Sequence, residues 1–360
     1  MDINTRKKPV YPLDDLLKAY LHNYGRALDG SVTYERLMGF HVAAPLLDEN
    51  GVDTLWQSVA YRPDEQPKLH ADLCRIYSVL KAGRASKWMS HLYVDRIDFC
   101  TFGNSQPFRI RIVNSHNDNQ DYYYVKKADA SRVYGLEIEH LLSPYRIHYL
   151  VAKETLIEEH IVGVPGDVFI RDWLDGPHIN GVRLAKELVK FNARCFIQLL
   201  GDMRSYNFVV NVTPDIEESQ VRIRAMDFDQ QSYSGIKKFY LPQFFKENYP
   251  LVDYCMQRIN TTTAKQYRIE ELAMLQRRID QNPDRLNDLL ASMRTTMISP
   301  EEKVYELRSA LAEHYAERRF MSCLNMGEIL TLSITLVGEE LKFVESEKTL
   351  SPFLSELRGV

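Results

Sequence analysis

Residues 200–210 read Leu-Gly-Asp-Met-Arg-Ser-Tyr-Asn-Phe-Val-Val, and this stretch decides the fold. A tight Gly-Asp turn runs directly into the β-type segment 208–210, so Asp202 and Asn207 are expected at a rigid strand edge. Further along, a second predicted strand ends in Asp-Phe-Asp at residues 227–229. Phosphoryl transfer requires a positioned acceptor hydroxyl, metal ions that bridge the phosphates and cations that face the developing charge. The spacing of these polar groups therefore favours a phosphotransferase.

The two motifs together resemble the protein-kinase-like superfamily. Asp202 and Asn207 match the Asp and Asn of its catalytic loop, and residues 227–229 are similar to its metal-binding Asp-Phe-Gly. The Gly-Asp opening is closer to the aminoglycoside and small-molecule phosphotransferase branch than to the eukaryotic protein kinases. The resemblance implies that Asp202 is the catalytic base and that Asn207 and Asp227 hold Mg²⁺, with Asp229 as a further candidate ligand.

Arg204 occupies the place of the catalytic-loop Lys, so the resemblance implies that it is a second catalytic residue. Two positions depart from the family pattern. Leu200 stands where the family usually has His. Asp229 replaces the Gly of the protein kinases, as is often seen in the small-molecule branch. The gap between the two motifs is also longer than usual, which indicates an insertion around residues 213–215.

A nucleotide-binding lobe is expected upstream of these motifs. Residues 94–100 and 108–113 predict a hairpin, and residues 121–127 predict the strand that carries the phosphate-binding lysine. Resemblance to the family pattern favours Lys126. Strand alternation instead places Lys127 with the smaller Val125, and the bulky Tyr124 before Lys126 would crowd adenine. Both lysines stay candidates.

A helix from about residue 132 to 142 follows, with Ser131 as its cap. Glu137 is placed to pair with the lysine, and Glu139 is the second choice. Residues 149–161 predict two strands and a hinge, whose backbone at residues 159–161 (Glu159, His160, Ile161) would hydrogen-bond adenine. The turn at 101–107 offers a single glycine, Gly103, where a phosphate loop usually has several.

Composition limits the functional classes. A net charge of −4 gives no electrostatic drive toward nucleic acid or an anionic membrane. Five cysteines without a Cys-x-x-Cys pattern argue against a disulfide framework or a zinc site and favour a reducing compartment, with cytoplasm as the expected location. The apolar runs are too short for a bilayer span, and the first residues lack a secretory apolar region.

The expected architecture is α+β, a two-lobed protein-kinase-like fold. It comprises a mostly helical N-terminal extension over residues 1–90, a small nucleotide-binding lobe over 91–170 and a mostly helical catalytic lobe over 171–360. A helix over about 182–200 should deliver the catalytic loop. Residues 299–302 predict another helix start, with Ser299 as cap, whereas residues 329–337 suit either a strand or a helix.

The sequence therefore predicts an ATP- and Mg²⁺-dependent kinase that phosphorylates a hydroxyl. The main alternative is a pseudokinase that binds nucleotide or a partner protein without turnover. The single glycine at 101–107 and the Leu200 departure favour the alternative, whereas Asp202, Asn207 and Asp227 favour the enzyme.

Overall fold

The computed structural model describes residues 8–30, 32–83, 91–102, 105–177, 179–215 and 219–357, with side chains to residue 344. The fold is α+β, with a seven-stranded antiparallel sheet, a three-stranded antiparallel sheet and a helical C-terminal part. It divides into two compact units. The first comprises Met1–Val133 and Ile147–His160, and the second comprises Tyr134–Arg146 and Ile161–Val360.

The strands and helices in the first half of the chain are α1 Asp15–Asn23, α2 Tyr34–Leu37, β1 Val42–Leu47, β2 Asp53–Ala60, α3 Gln66–Ala82, β3 Leu92–Cys100, β4 Phe108–Asn114, β5 Gln120–Lys127, α4 Ala130–Leu142, β6 Tyr149–Ala152 and β7 Thr155–Glu159. They are followed by β8 Val164–Pro165, α5 Gly166–Asp172, α6 Gly181–Gln198, β9 Phe208–Pro214, β10 Ser219–Ala225, α7 Tyr249–Met256, α8 Thr261–Gln281, α9 Pro283–Met293, α10 Glu301–Tyr315 and α11 Met326–Leu357. Short 3₁₀ helices lie at Ser205–Asn207, Lys237–Tyr240, Pro242–Phe244, Lys246–Asn248 and Arg318–Ser322.

The first unit is built on the larger sheet, whose strand order is β1-β2-β3-β4-β5-β7-β6. Alternate residues of β4 point inward, so Phe108, Ile110 and Ile112 are buried in the same apolar cluster as Leu73 and Ile76 of α3.

The predicted hairpin is confirmed as β3 and β4, the lysine-bearing strand as β5, and the next two strands as β6 and β7. The helix between them is present as α4, but it begins at Ala130 and not after a Ser131 cap. The Asp129 carboxylate accepts a hydrogen bond of 3.1 Å from the Arg132 amide instead.

The prediction of a mostly helical segment over residues 1–90 is corrected by β1 and β2. The predicted helices are present as α1 and α3, but the chain between them forms two strands that pair with each other and join the sheet through β3. Most residues of β1 are exposed, and Pro45 lies within it, as is typical of an edge strand. An exposed edge strand shows no alternation of buried and exposed residues, so periodicity does not reveal it.

In the second unit, α6 is the helix that was predicted to deliver the catalytic loop. Asn180 caps its N-terminus by accepting a hydrogen bond of 2.9 Å from the Arg183 amide. Its buried stripe includes Leu184, Leu188 and Phe191. The helix ends at Gln198, directly before residues 200–210.

The C-terminal helices correct one prediction, the cap of α10, and decide a question that the sequence left open, the conformation of residues 329–337. α10 begins at Glu301 as expected, but Pro300 is its N-cap and the Ser299 hydroxyl donates to the Tyr233 carbonyl oxygen at 2.8 Å. Residues 329–337, which suited either a strand or a helix, lie within α11. Across the described ranges, none of the helices combines the length and apolar character that a bilayer span requires.

A buried ion cluster joins α6 to α8. The Arg194 guanidinium lies 3.0 Å from the Glu271 carboxylate, and each side chain is 4% exposed. Arg278 lies 3.7 Å from the same carboxylate. Glu271 therefore compensates the positive charge of Arg194, which is buried away from water. A buried charge without a partner would lower the free energy of unfolding.

We expect Glu271→Gln to destabilise the protein strongly, because it leaves the Arg194 charge buried without its ion-pair partner. The expected loss in free energy of unfolding is about 3–5 kcal/mol, measured by urea denaturation. The neighbouring Glu270→Gln is a matched control, since Glu270 forms a half-exposed pair with Lys186 at 2.8 Å. The loss in free energy of unfolding of Glu270→Gln should stay below about 1 kcal/mol. Equal losses in the two variants would contradict the structural role of Glu271.

Candidate active site

The loop that follows α6 is held in a tight backbone conformation. Leu199 and Asp202 both have positive φ angles, 53° and 60°. The Asp202 amide donates to the Phe239 carbonyl oxygen at 3.1 Å, and the Ser232 amide donates to the Leu199 carbonyl oxygen at 2.8 Å. A Cβ atom on Gly201 would lie 2.7 Å from the Phe239 ring, so glycine is required here by close approach. A non-glycine residue held at positive φ often marks a functional loop.

Asn207 joins this loop to the segment that carries the second motif. Its side-chain amide donates to the Asp202 carbonyl oxygen at 2.7 Å. Its backbone amide donates to the Arg204 carbonyl oxygen at 2.8 Å, and its own carbonyl oxygen accepts from the Met226 amide at 3.0 Å. These bonds place residues 202–207 directly beside the start of the Asp-Phe-Asp segment.

Residues 213 and 214, where an insertion was predicted, lie at the far end of β9. β9 and β10 pair from Phe208 with Ala225 at the base to Pro214 with Ser219 at the far end. The base of the hairpin therefore brings the two motifs together, although they are well separated along the chain. The structure thus juxtaposes the segments of Asp202, Asn207 and Asp227 as the spacing argument expected.

The electrostatic environment of Asp202 favours its protonated form. Burial raises the pKa of this carboxyl above its ordinary value of 3.8, and the nearby charges of Asp227 and Glu247 raise it further. Arg204 opposes these effects, since its Nε lies 2.8 Å from Asp202 Oδ1. The Arg204 guanidinium also reaches Glu247 at 3.1 Å, so it is shared between two carboxylates.

Asn207, Asp227 and Asp229 supply only oxygen donors for a cation. Within the described part of the chain, the side-chain oxygen of Asn207 receives no hydrogen bond. Asp227 Oδ1 accepts a hydrogen bond of 3.2 Å from the Asp229 amide. Among the described residues, no group of three or more His, Cys, Asp or Glu side chains forms a complete metal site. The donor chemistry fits Mg²⁺, which commonly binds one or two carboxylates and completes its shell with phosphate oxygens and water.

In the first unit, Lys126 and Lys127 occupy different environments. Lys126 is buried, and its Nζ lies 2.5 Å from Glu158 Oε2. Arg132 contacts the other oxygen of the same carboxylate at 3.4 Å. Lys127 is exposed, and its Nζ lies 5.6 Å from the centroid of the Tyr34 ring. Lys126 is therefore the lysine that belongs to a cluster of buried charges, while its contact with phosphate stays a prediction.

Glu158 was missed by the sequence interpretation. It lies on β7 opposite Tyr124 of β5, one diagonal step from Lys126, so the two charged side chains share one face of neighbouring strands. Two adjacent carboxylates that directly follow Leu156 and Ile157 in a short strand are the signal that could have revealed it.

Glu137 and Glu139 belong to the second unit, so their predicted pairing with the lysine of the first unit stays a prediction. Within its own unit, the Glu137 carboxylate accepts a hydrogen bond of 2.8 Å from Arg285 Nε. Glu139 is buried, and its burial raises the pKa of its carboxyl.

The expected adenine-binding backbone at residues 159–161 is partly occupied. The Glu159 amide donates to the His148 carbonyl oxygen at 3.0 Å, and the His160 amide donates to the Tyr122 carbonyl oxygen at 3.3 Å. These two amides are used by the sheet, whereas the prediction concerns any backbone group of residues 159–161, so adenine binding there stays a prediction. The predicted single-glycine turn contains Gly103 and Asn104, which lie outside the described residues.

Comparisons with known proteins give little more. The chain matches neither a protein-family model nor a curated protein. Among solved structures it is similar to "Titin kinase and its flanking domains", with 13% identity, a TM-score of 0.21 and coverage of 62% of this chain. The similarity spans 49% of that structure's chain, about half its length. At this TM-score the likeness is weak and decides neither the fold family nor the function.

The raised pKa of Asp202 predicts a specific pH dependence. A carboxyl whose pKa is higher in the folded state contributes stability below its unfolded value, and this contribution is lost as pH rises through the folded pKa. Asp202→Asn keeps a neutral group at all pH values. We therefore expect the melting temperature of the variant to rise relative to that of the parent as pH increases from about 3 to about 7. Thermal unfolding followed by circular dichroism tests this, and a relative change in the opposite direction would show that ionised Asp202 is stabilising.

Proposed function

We propose that this chain is an ATP- and Mg²⁺-dependent phosphotransferase with a protein-kinase-like fold, acting in the cytoplasm on a hydroxyl of a small molecule or protein. One observation carries the proposal. Asn207 hydrogen-bonds both the Asp202 carbonyl oxygen and, through its own carbonyl oxygen, the Met226 amide that precedes Asp227. These bonds hold the segments of the proposed proton acceptor and the two proposed metal ligands on one hydrogen-bonded framework, and this supports a role in phosphoryl transfer.

Asp202 is the proposed general base. A raised pKa makes a carboxylate a stronger proton acceptor, provided that it is ionised at the working pH. Arg204 holds the carboxylate through the Nε contact of 2.8 Å and is itself balanced by Glu247. We therefore assign Arg204 to orienting Asp202 rather than to contacting phosphate.

Asp227 and Asn207, with Asp229 as a third candidate, would hold Mg²⁺, which neutralises charge on the nucleotide phosphates when it is bound. Lys126 is the favoured phosphate contact because it lies in the charged cluster with Glu158 and Arg132. Lys127 is retained as the alternative.

A pseudokinase that binds nucleotide or a partner protein without turnover is the second candidate function. Two observations favour it. The Lys126 ammonium is already engaged in a short, buried ion pair with Glu158, so contact with a phosphate requires this pair to rearrange. In addition, the amides of Glu159 and His160 are used within the sheet.

The metal assignment predicts that ATP with Mg²⁺ raises the melting temperature of the parent protein more than ATP alone does. In Asp227→Asn this additional rise should be abolished. Removing the charge weakens a hard oxygen site, while the backbone bonds of the loop stay in place. The measurement is the shift in melting temperature with ATP, with and without Mg²⁺. Asp253→Asn, on the exposed side of α7, serves as the control and should behave like the parent. An unchanged Mg²⁺-dependent shift in Asp227→Asn would remove Asp227 from the metal site.

The catalytic assignment predicts that Asp202→Ala lowers phosphoryl transfer by roughly 10²-fold or more, because a positioned general base is lost. ATP affinity should change little, since Asp202 is assigned to the acceptor hydroxyl. ATP turnover with a panel of hydroxyl-bearing acceptors gives the first quantity, and calorimetric titration with ATP and Mg²⁺ gives the second. Nucleotide binding without turnover in the parent would select the pseudokinase, and equal turnover in parent and variant would refute the role of Asp202.

A further inference from the structure

A large cavity lies in the second unit. Its volume is about 890 Å³, and its walls come from α6, α7, α8 and the 3₁₀ segments around residues 237–244. None of the residues predicted for catalysis or metal binding lines it. Cavities of this size accommodate a small organic ligand.

The lining of the cavity is mainly apolar. Leu188 and Phe196 of α6 are buried in its wall, whereas Phe244 and Met256 are 48% and 71% exposed. Large apolar side chains that are exposed beside a cavity mark a surface that a ligand would cover. The apolar character of the walls therefore indicates a ligand with an apolar body.

The charged residues of the lining have a single sign. Lys237, Lys238, Lys265 and Arg268 line the cavity, and no Asp or Glu does. Arg268 is already paired with Glu340, at 2.9 Å. Within the described residues, the three lysines form no ion pair, and Lys238 Nζ lies above an aromatic ring of the same cavity. The lysines come from two separate elements, so together they present a positive wall to the cavity.

His314 of α10 also lines the cavity and is affected by its positive charges. Burial lowers the pKa of its imidazole, and the charges of Lys237 and Arg268 lower it further, against the opposing effect of Glu340. Its ring packs edge-on against Phe196, with centroids 5.1 Å apart. His314 therefore contributes a neutral, largely apolar surface, and the lysines remain the charged part of the lining.

We propose that this cavity binds an amphiphile that has one long apolar chain and an anionic head. The apolar walls formed by α6 and α7 would bury the chain, and the lysines of the 3₁₀ segment and α8 would contact the head. A carboxylate and a phosphate monoester share this chemistry. The proposal does not rest on the proposed phosphoryl transfer, since none of the residues assigned to that reaction lines the cavity.

Calorimetric titration of the full chain with tetradecanoate and with tetradecyl phosphate, below their micelle concentrations, tests the proposal. We expect saturable binding of at least one of them, and their relative affinities identify the head group. Tetradecanol and the tetradecyltrimethylammonium cation, which share the chain but not the negative charge, should bind at least about tenfold more weakly. No binding of either anion, or equal binding of the alcohol, would overturn the proposal.

Two variants locate the site. The double change Lys237→Gln and Lys265→Gln should weaken binding of the anionic amphiphile by about tenfold or more, because it removes charge from both walls. Lys18→Gln with Lys246→Gln removes two exposed lysines that do not line the cavity and should leave affinity unchanged. Ala264→Phe should block the cavity itself, provided that its melting temperature without ligand equals that of the parent. Unchanged affinity in the Lys237 and Lys265 double variant would exclude this cavity as the binding site.

Discussion

The arrangement of the candidate site depends on the hydrogen bonds of Asn207. Its side-chain amide donates to the Asp202 carbonyl oxygen, and its own carbonyl oxygen accepts a hydrogen bond from the Met226 amide. Neither Asp202, in a left-handed conformation, nor the Asp-Phe-Asp segment would hold its position through local propensity alone. Asn248 adds a second support, because its side-chain amide donates to the Met203 carbonyl oxygen at 2.9 Å. Buried polar networks of this kind fix one backbone arrangement when their donors are satisfied.

Most of the regular structure was predictable because it is encoded locally. The apolar stripe of α6 and the alternation of β4 follow directly from side-chain periodicity, and the structure confirms both. β1 escaped prediction because it is an exposed edge strand that contains Pro45. The Ser299 cap failed for a different reason, since its hydroxyl is drawn to the Tyr233 carbonyl oxygen, a partner distant in sequence.

The candidate site was predictable in its residues but not in their partners. The sequence placed Asp202, Asn207 and Asp227 in one region, because the first motif runs into a predicted strand and a second predicted strand ends in the other motif. It could not reveal that Glu158 pairs with Lys126, or that Arg285 reaches Glu137, since such contacts depend on how distant elements pack. The large cavity was likewise invisible, because its lining side chains belong to helices whose apolar faces read as ordinary core.

Because of the β9–β10 hairpin, the two motifs lie close in space although they are far apart along the chain. The two ends of the hairpin meet at Phe208 and Ala225 whatever the length of the arms between them. Adding one residue to each arm would extend the ladder outward and leave the meeting point unchanged, whereas an unmatched residue would have to be absorbed at the tip or as a bulge. Related chains can therefore differ widely in the number of residues between the two motifs. A sequence search that fixes the number of residues between Asn207 and Asp227 would miss such chains. A search that allows a hairpin of variable length between them would detect them.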